Sequence, residues 1–96
     1  MKRARIEIIS DILFFIKKCG EARPTSIIYK TNLSVPLFNK YINALLKDLL
    51  ISKIADGKRV VYCLTEKGIG FIGILQELNS LTQFIEIDHE KRGLIQ

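Results

Sequence analysis

Asn39, Lys40, Asn43 and Lys47 follow one another at steps of one, three and four, so on a helix their amide and ammonium groups share one side. The set donates hydrogen bonds, carries positive charge and includes no carboxylate. An asparagine amide can meet the edge of adenine with two hydrogen bonds, and a lysine ammonium can reach guanine or a phosphate. That is the chemistry of holding a polyanion in a groove, with no bond made or broken. Lys58 and Arg59 form a second cationic pair just after Asp56-Gly57, and Lys53 lies shortly before it. The same residues also suit an ordinary solvated helix face, and a ribbon edge whose lysines discourage strand-to-strand association.

Chemistry of other kinds is not encoded. His89 is the single histidine and sits in a charged tail, with no cysteine or carboxylate at metal-ligand spacing. There is no glycine loop to cradle a phosphate and no activated nucleophile motif. Asp48, Asp56, Glu66 and Glu77 fall at helix ends, in a turn and on a helix surface, where carboxylates cap or solubilise. No enzyme, metal or cofactor is expected.

A chain of 96 residues makes one domain with at most a small appendage, and buries only about 60 to 65% of its unfolded surface. Its core is modest, which leaves room for a partner subunit. Apolar residues at 48% and charged residues at 26% give a globular composition. Fifteen Lys and Arg against ten Asp and Glu leave a net charge of +5, an excess that favours polyanions. Cys19 and Cys63 lie far apart in apolar surroundings and are expected as reduced, buried thiols. No apolar run approaches the ~20 residues that span a bilayer, and Met1-Lys2-Arg3 lacks the apolar core of a secretory signal. The expected location is the cytoplasm, on the nucleoid.

The elements that must position the cationic groups follow from periodicity. Ile6, Ile9, Leu13 and Ile16, broadened by Ile12 and Phe15, predict a first helix over 4–18, stopped by Gly20 and finished by Lys17 and Lys18 at the negative end of its dipole. Lys2, Arg3 and Arg5 form a small basic arm ahead of it. A short second helix covers 25–30, opened by Pro24 or Thr25. Ser34 is a good N-cap and Pro36 falls in the first turn, so a third helix starts near Val35. Leu37, Phe38, Tyr41, Ile42, Leu45 and Leu49 fall within an arc of roughly 140° and form its expected buried face. Pro36, Asn39, Lys40, Asn43 and Lys47 occupy the opposite arc. Short helix, tight turn and longer helix make a helix-turn-helix, whose second helix enters the major groove.

From Ile51 the pattern alternates and is rich in β-branched residues, with Asp56-Gly57 at its centre, which predicts strands over 51–55 and 59–64 joined as a hairpin. A basic hairpin directly after a recognition helix is what a wing looks like. Thr65 then caps a last helix in which Phe71, Ile74, Leu78, Leu81 and Ile85 recur as a heptad seam ending at Asp88. Ile72, Leu75, Phe84 and Ile87 widen that surface, so part of it is expected on the first helix and the rest on a second copy of the chain. Gly68, Gly70 and Gly73 each cost close to 1 kcal/mol relative to alanine within a helix, and close approach of another backbone would account for them. The fold class is mainly α with a two-stranded β-hairpin wing (α+β): a winged helix-turn-helix over residues 1–65 and a coiled-coil-like dimerisation helix over 66–92.

The run Asn32-Leu33-Ser34 with Leu37, Lys40, Tyr41, Ile42 and Leu45, and the hairpin closing in Tyr62-Cys63-Leu64-Thr65-Glu66-Lys67-Gly68, resembles archaeal winged-helix proteins, in particular the small basic chromosomal proteins of the Sulfolobus ten-a type. The likeness runs from about Ile6 to Leu81. It implies a winged helix dimerised through its long C-terminal helix in an antiparallel coiled coil, binding double-stranded DNA without strong sequence preference. Carried onto this chain, it implies recognition-helix contacts at Ser34, Asn39, Lys40 and Asn43 and wing contacts at Lys58 and Arg59. The chain departs from the pattern in its glycine-rich last helix and in Pro36 and Phe38.

The expected function is therefore that of a dimeric DNA-binding protein, a transcriptional regulator or chromosome-organising factor. Ser34, Asn39, Lys40, Asn43, Lys47, Lys58 and Arg59 face double-stranded DNA, and Phe71, Ile74, Leu78, Leu81 and Ile85 face a second copy. No membrane and no small-molecule substrate is expected. The alternative is a non-enzymatic protein-protein interaction module on the same scaffold, against which the carboxylate-free stripe and the basic hairpin tip argue. RNA is the weaker partner, because no aromatic residues line an exposed strand face.

Overall fold

The computed structural model describes the backbone of residues 4–95 and the side chains of residues 4–81. The elements run in the order α1 (Arg5–Cys19), α2 (Pro24–Thr31), α3 (Val35–Lys47), β1 (Ile51–Asp56), β2 (Arg59–Leu64) and α4 (Glu66–Ile95). The architecture is the expected one, mostly helical with one antiparallel hairpin. The backbone of α4 continues past Asp88, where the expected heptad seam ends, and past the expected segment end at 92, to Ile95, with no proline to stop it.

Each boundary has a local cause. Gly20, at φ 78°, closes α1 and its amide donates to the Ile16 carbonyl at 2.8 Å. Pro24 opens α2 at a position where its missing N–H costs nothing. Asn32 ends α2 in the left-handed region (φ 56°, ψ 41°), and the Asn32 and Leu33 amides both donate to Ile28. Asparagine adopts this conformation more readily than most residues other than glycine, so the helix-turn-helix turn closes without a glycine. The Ser34 hydroxyl accepts from the Leu37 amide at 3.3 Å and caps α3 as expected.

The end of α3 departs from expectation. Leu49 has the apolar identity and spacing of a continuing helix, yet it adopts φ 62°, is 66% exposed, and lies beyond the last helical residue, Lys47. The Leu50 amide donates to the Leu45 carbonyl at 3.0 Å, the closing bond of a left-handed C-cap. This reverses the chain sharply and sends it into β1. Leu37, also assigned to the inner face, is 41% exposed, so α3 buries Phe38, Tyr41, Ile42 and Leu45. On α1 the buried set is Ile8, Ile12, Leu13 and Ile16, while Ile6 lies largely in solvent.

In the hairpin, Asp56 pairs with Arg59, so the two loop residues are Gly57 and Lys58, one step later than Asp-Gly. Gly57 takes φ 60° as the first central residue, the arrangement of a type II′ turn. A connector residue then joins the sheet. Ala22 and Tyr62 exchange backbone hydrogen bonds at 2.9 and 2.8 Å, placing residue 22 beside β2 on the side away from β1.

The core gathers Ile12, Leu13 and Ile16 of α1, Ile27 of α2, the inner face of α3, Leu50, Ile51, Tyr62, and Ile72 and Leu75 of α4. Phe38 and Tyr62 meet edge to face at 6.4 Å. The start of α4 is fastened to the end of α3. Thr65 accepts from the Gly68 amide as N-cap and donates its hydroxyl to the Leu49 carbonyl, while the Lys67 ammonium donates to the Asp48 carbonyl at 2.9 Å. A Cβ on Gly68 would run into the Leu50 carbonyl oxygen, so this glycine does mark a close backbone approach. Gly70 and Gly73 face open space. Both cysteines are free thiols, but Cys19 is exposed and Cys63 half-buried against the Ser52 hydroxyl at 3.1 Å, where the sequence reading buried both.

Candidate nucleic-acid interface

The outer side of α3 is built by its N-cap and its inner face together. With Ser34 fixing the start and Phe38, Tyr41, Ile42 and Leu45 turned inward, Asn39, Lys40, Asn43 and Lys47 stand in solvent. Pro36 and Ala44 lie among them, and Val35 and Leu37 border them as exposed apolar residues. The Lys40 ammonium sits 5.9 Å from the centre of the Tyr41 ring, which steers it without neutralising it. Ser34 uses its hydroxyl oxygen in the cap, leaving its proton available to an acceptor outside the helix. The face can therefore donate to base edges through two amides, attract phosphates through two ammonium groups, and place Val35 or Leu37 against a thymine methyl.

The wing contributes Lys58 from its turn and Arg59 from the first position of β2, both exposed, with Lys53 on the paired strand. Arg59 is not unpaired. Its guanidinium lies 3.5 Å from the Glu21 carboxylate, with both side chains about half exposed. Between the wing and the start of α2 runs an open groove lined by Arg23, Pro24, Thr25, Lys58, Arg59 and Val60. Neither Glu21 nor Arg23 is marked as an interface residue by helical or strand periodicity. The signal that could have found them is the alternation Glu21-Ala22-Arg23, exposed-buried-exposed, produced by the Ala22–Tyr62 bridge. It spans a single pair, too short to show as periodicity.

The seam residues divide on α4. Phe71 is half-buried against the core, whereas Ile74, Leu78 and Leu81 are 57, 54 and 59% exposed, and Ile69 is exposed beside them. Ile85 lies outside the residues whose side chains are described. Burial among the core residues pushes the Tyr62 phenol up from its ordinary value. Among the described residues no cluster of His, Cys, Asp or Glu could hold a metal ion, and no helix is long and apolar enough to cross a membrane.

Residues 2–83 match the family model described as winged helix-turn-helix. An uncharacterized protein of Methanocaldococcus jannaschii is 38% identical over 77 residues, covering 80% of this chain and 74% of its own length. Among solved structures, the chain is similar to Sso10a-2, a DNA-binding protein from Sulfolobus solfataricus, with a TM-score of 0.81 at 24% identity over 97% of this chain and 96% of that one. It is also similar to MepR, a transcription regulator of the Staphylococcus aureus multidrug efflux pump MepA, with a TM-score of 0.70 at 16% identity over 81% of this chain and 61% of that one. The resemblance read from Asn32–Leu45 and Tyr62–Gly68 is thereby matched at the level of the whole fold. With helix-turn-helix, hairpin and following helix all in place over the matched residues, the chain belongs to the winged helix-turn-helix family.

Proposed function

We propose that this protein binds double-stranded DNA as a homodimer and acts as a transcriptional regulator or chromosome-organising factor on the nucleoid. The observation that carries the reading is the outer side of α3, where Asn39, Lys40, Asn43 and Lys47 stand in solvent with no carboxylate among them. In this reading α3 lies in the major groove, Asn39 and Asn43 meet base edges, and Ser34, Lys40, Lys47, Lys58 and Arg59 meet phosphates. The description of Sso10a-2 as a DNA-binding protein supports the same assignment. The dimer uses the segment 66–92, through Phe71, Ile74, Leu78, Leu81 and Ile85. It is supported by the exposed apolar residues Ile69, Ile74, Leu78 and Leu81 along α4.

The test is binding of unrelated duplexes across a range of salt. Affinity should fall with salt, since each neutralised phosphate contributes a slope of about −0.9 in log K against log salt. Replacing Lys58 and Arg59 together by alanine should weaken binding and flatten the slope by up to about two units. An unchanged slope removes the wing from the interface. A second reading, a protein-docking module, is favoured by Tyr29, Val35 and Leu37, exposed apolar groups near the tip of the helix-turn-helix. Absence of a complex with any duplex at low salt would select it.

A further inference from the structure

We infer that the groove between the start of α2 and the wing seats one DNA backbone phosphate on Arg23, Lys58 and Arg59, and that Glu21 holds Arg59 in the free protein as a carboxylate stand-in for that phosphate. This rests on the DNA-binding reading above and adds to it a contact from outside α3 and the wing, together with a built-in competitor. Three cationic side chains and the Thr25 hydroxyl line the groove. They are brought there by backbone, not by chance surface proximity. The reciprocal Ala22–Tyr62 hydrogen bonds hold the connector against β2, so Glu21 and Arg23 flank the paired residue on the exposed side. Arg23 precedes α2 without capping it through its side chain, so the guanidinium has no structural duty in the helix start.

The ion pair has the properties of an exchangeable contact. At 3.5 Å and about half exposed, it is longer than the ~2.7–2.9 Å of a charge-assisted hydrogen bond. Exposed pairs of this kind are readily given up. A phosphate offers oxygens to both prongs of the Arg59 fork and, unlike Glu21, can be shared with Arg23 and Lys58. The groove is open along the wing, and the hairpin that forms one wall packs on α3 through its other strand. A polymer that engages both α3 and the wing would have this groove at the base of the same hairpin. Glu21 sets a threshold: an anion must outbid a tethered carboxylate, which a backbone anchored by α3 can do and a dilute free anion cannot.

The experiment measures affinity for a mixed-sequence duplex by fluorescence anisotropy between about 50 and 200 mM salt. It compares the parent with Arg23→Ala, Glu21→Gln and Glu77→Gln. Glu77→Gln makes the same change of formal charge on α4, away from the groove. Arg23→Ala should lower affinity and flatten the slope by about 0.9. Glu21→Gln should raise affinity by about twofold to fivefold, the size of one exposed pair released, and Glu77→Gln by less than half of that gain. All three sites are exposed, so unchanged melting temperatures identify folded variants. A parent that binds while Arg23→Ala keeps the full slope, or Glu21→Gln gains no more than Glu77→Gln, overturns the seat and leaves the α3 and wing reading standing. A parent that binds no duplex overturns both. Inorganic phosphate protecting Arg23 and Arg59 as well as duplex does would mean a free-anion site and overturn the assignment to DNA.

Discussion

Gly68 and Gly70 lie two residues apart on one helix, and their environments give the same substitution opposite signs. A methyl group at Gly68 meets the Leu50 carbonyl, part of the backbone that turns α3 into β1, and that oxygen cannot move without dragging the turn. Gly68→Ala should therefore destabilise by about 1–3 kcal/mol despite the better helix propensity of alanine. Gly70 faces open space, and Gly70→Ala should stabilise by about 0.5–1 kcal/mol. Urea midpoints for the two variants read the difference directly. The three glycines stood out in the sequence because helices avoid them, and a close backbone approach was the anticipated reason. Which of them had that reason could not be read, because the answer depends on where Leu50 ends up, eighteen residues earlier.

At the scale of elements, the parts with local causes were legible. Ser34 and Pro36 announce α3, Gly20 closes α1, and β-branched alternation around Asp56-Gly57 gives the hairpin. The parts decided by tertiary partners were not. Leu49 looks like one more inward residue, and only the Leu45–Leu50 closure shows it turned out in the left-handed region. On the candidate interface, the outward placement of Asn39, Lys40 and Asn43 followed from helical period alone, while the pairing of Arg59 with Glu21 needed a bridge that leaves no periodic trace.

The middle of the sheet carries a pH dependence. Tyr62 pairs with Lys53 on one side and Ala22 on the other, and its burial raises the phenol above the ordinary 10.0. In the unfolded chain the phenol ionises near that value, whereas in the folded chain it holds its proton to higher pH. Above about pH 10 the unfolded state thus binds fewer protons, and stability falls as pH rises; below it Tyr62 contributes no slope. Tyr62→Phe abolishes this component. Melting curves should show the parent losing stability relative to Tyr62→Phe as pH climbs past 10, with a constant difference between the two from neutrality up to about pH 9.

For the whole molecule, the apolar groups left in solvent matter most. Ile74, Leu78 and Leu81 are exposed on α4, on a side that Ile72 and Leu75, which enter the core, do not share. If α4 carries the proposed subunit contact, replacing Ile74 and Leu78 together by Glu should shift sedimentation velocity from dimer to monomer, with the helix content of the winged-helix body retained because neither side chain belongs to its core. The monomer should bind duplex at least tenfold more weakly, since each half then loses the gain from tethering to the other. A variant that still sediments as a dimer would move the subunit contact off α4.

The fastening of Thr65 to Leu49 and of Lys67 to Asp48 has a mechanical consequence. The exit of α3 and the entry of α4 are tied at one point, so a displacement of the start of α4 would be felt first at the end of α3, through two hydrogen bonds and the close approach of Gly68 to Leu50.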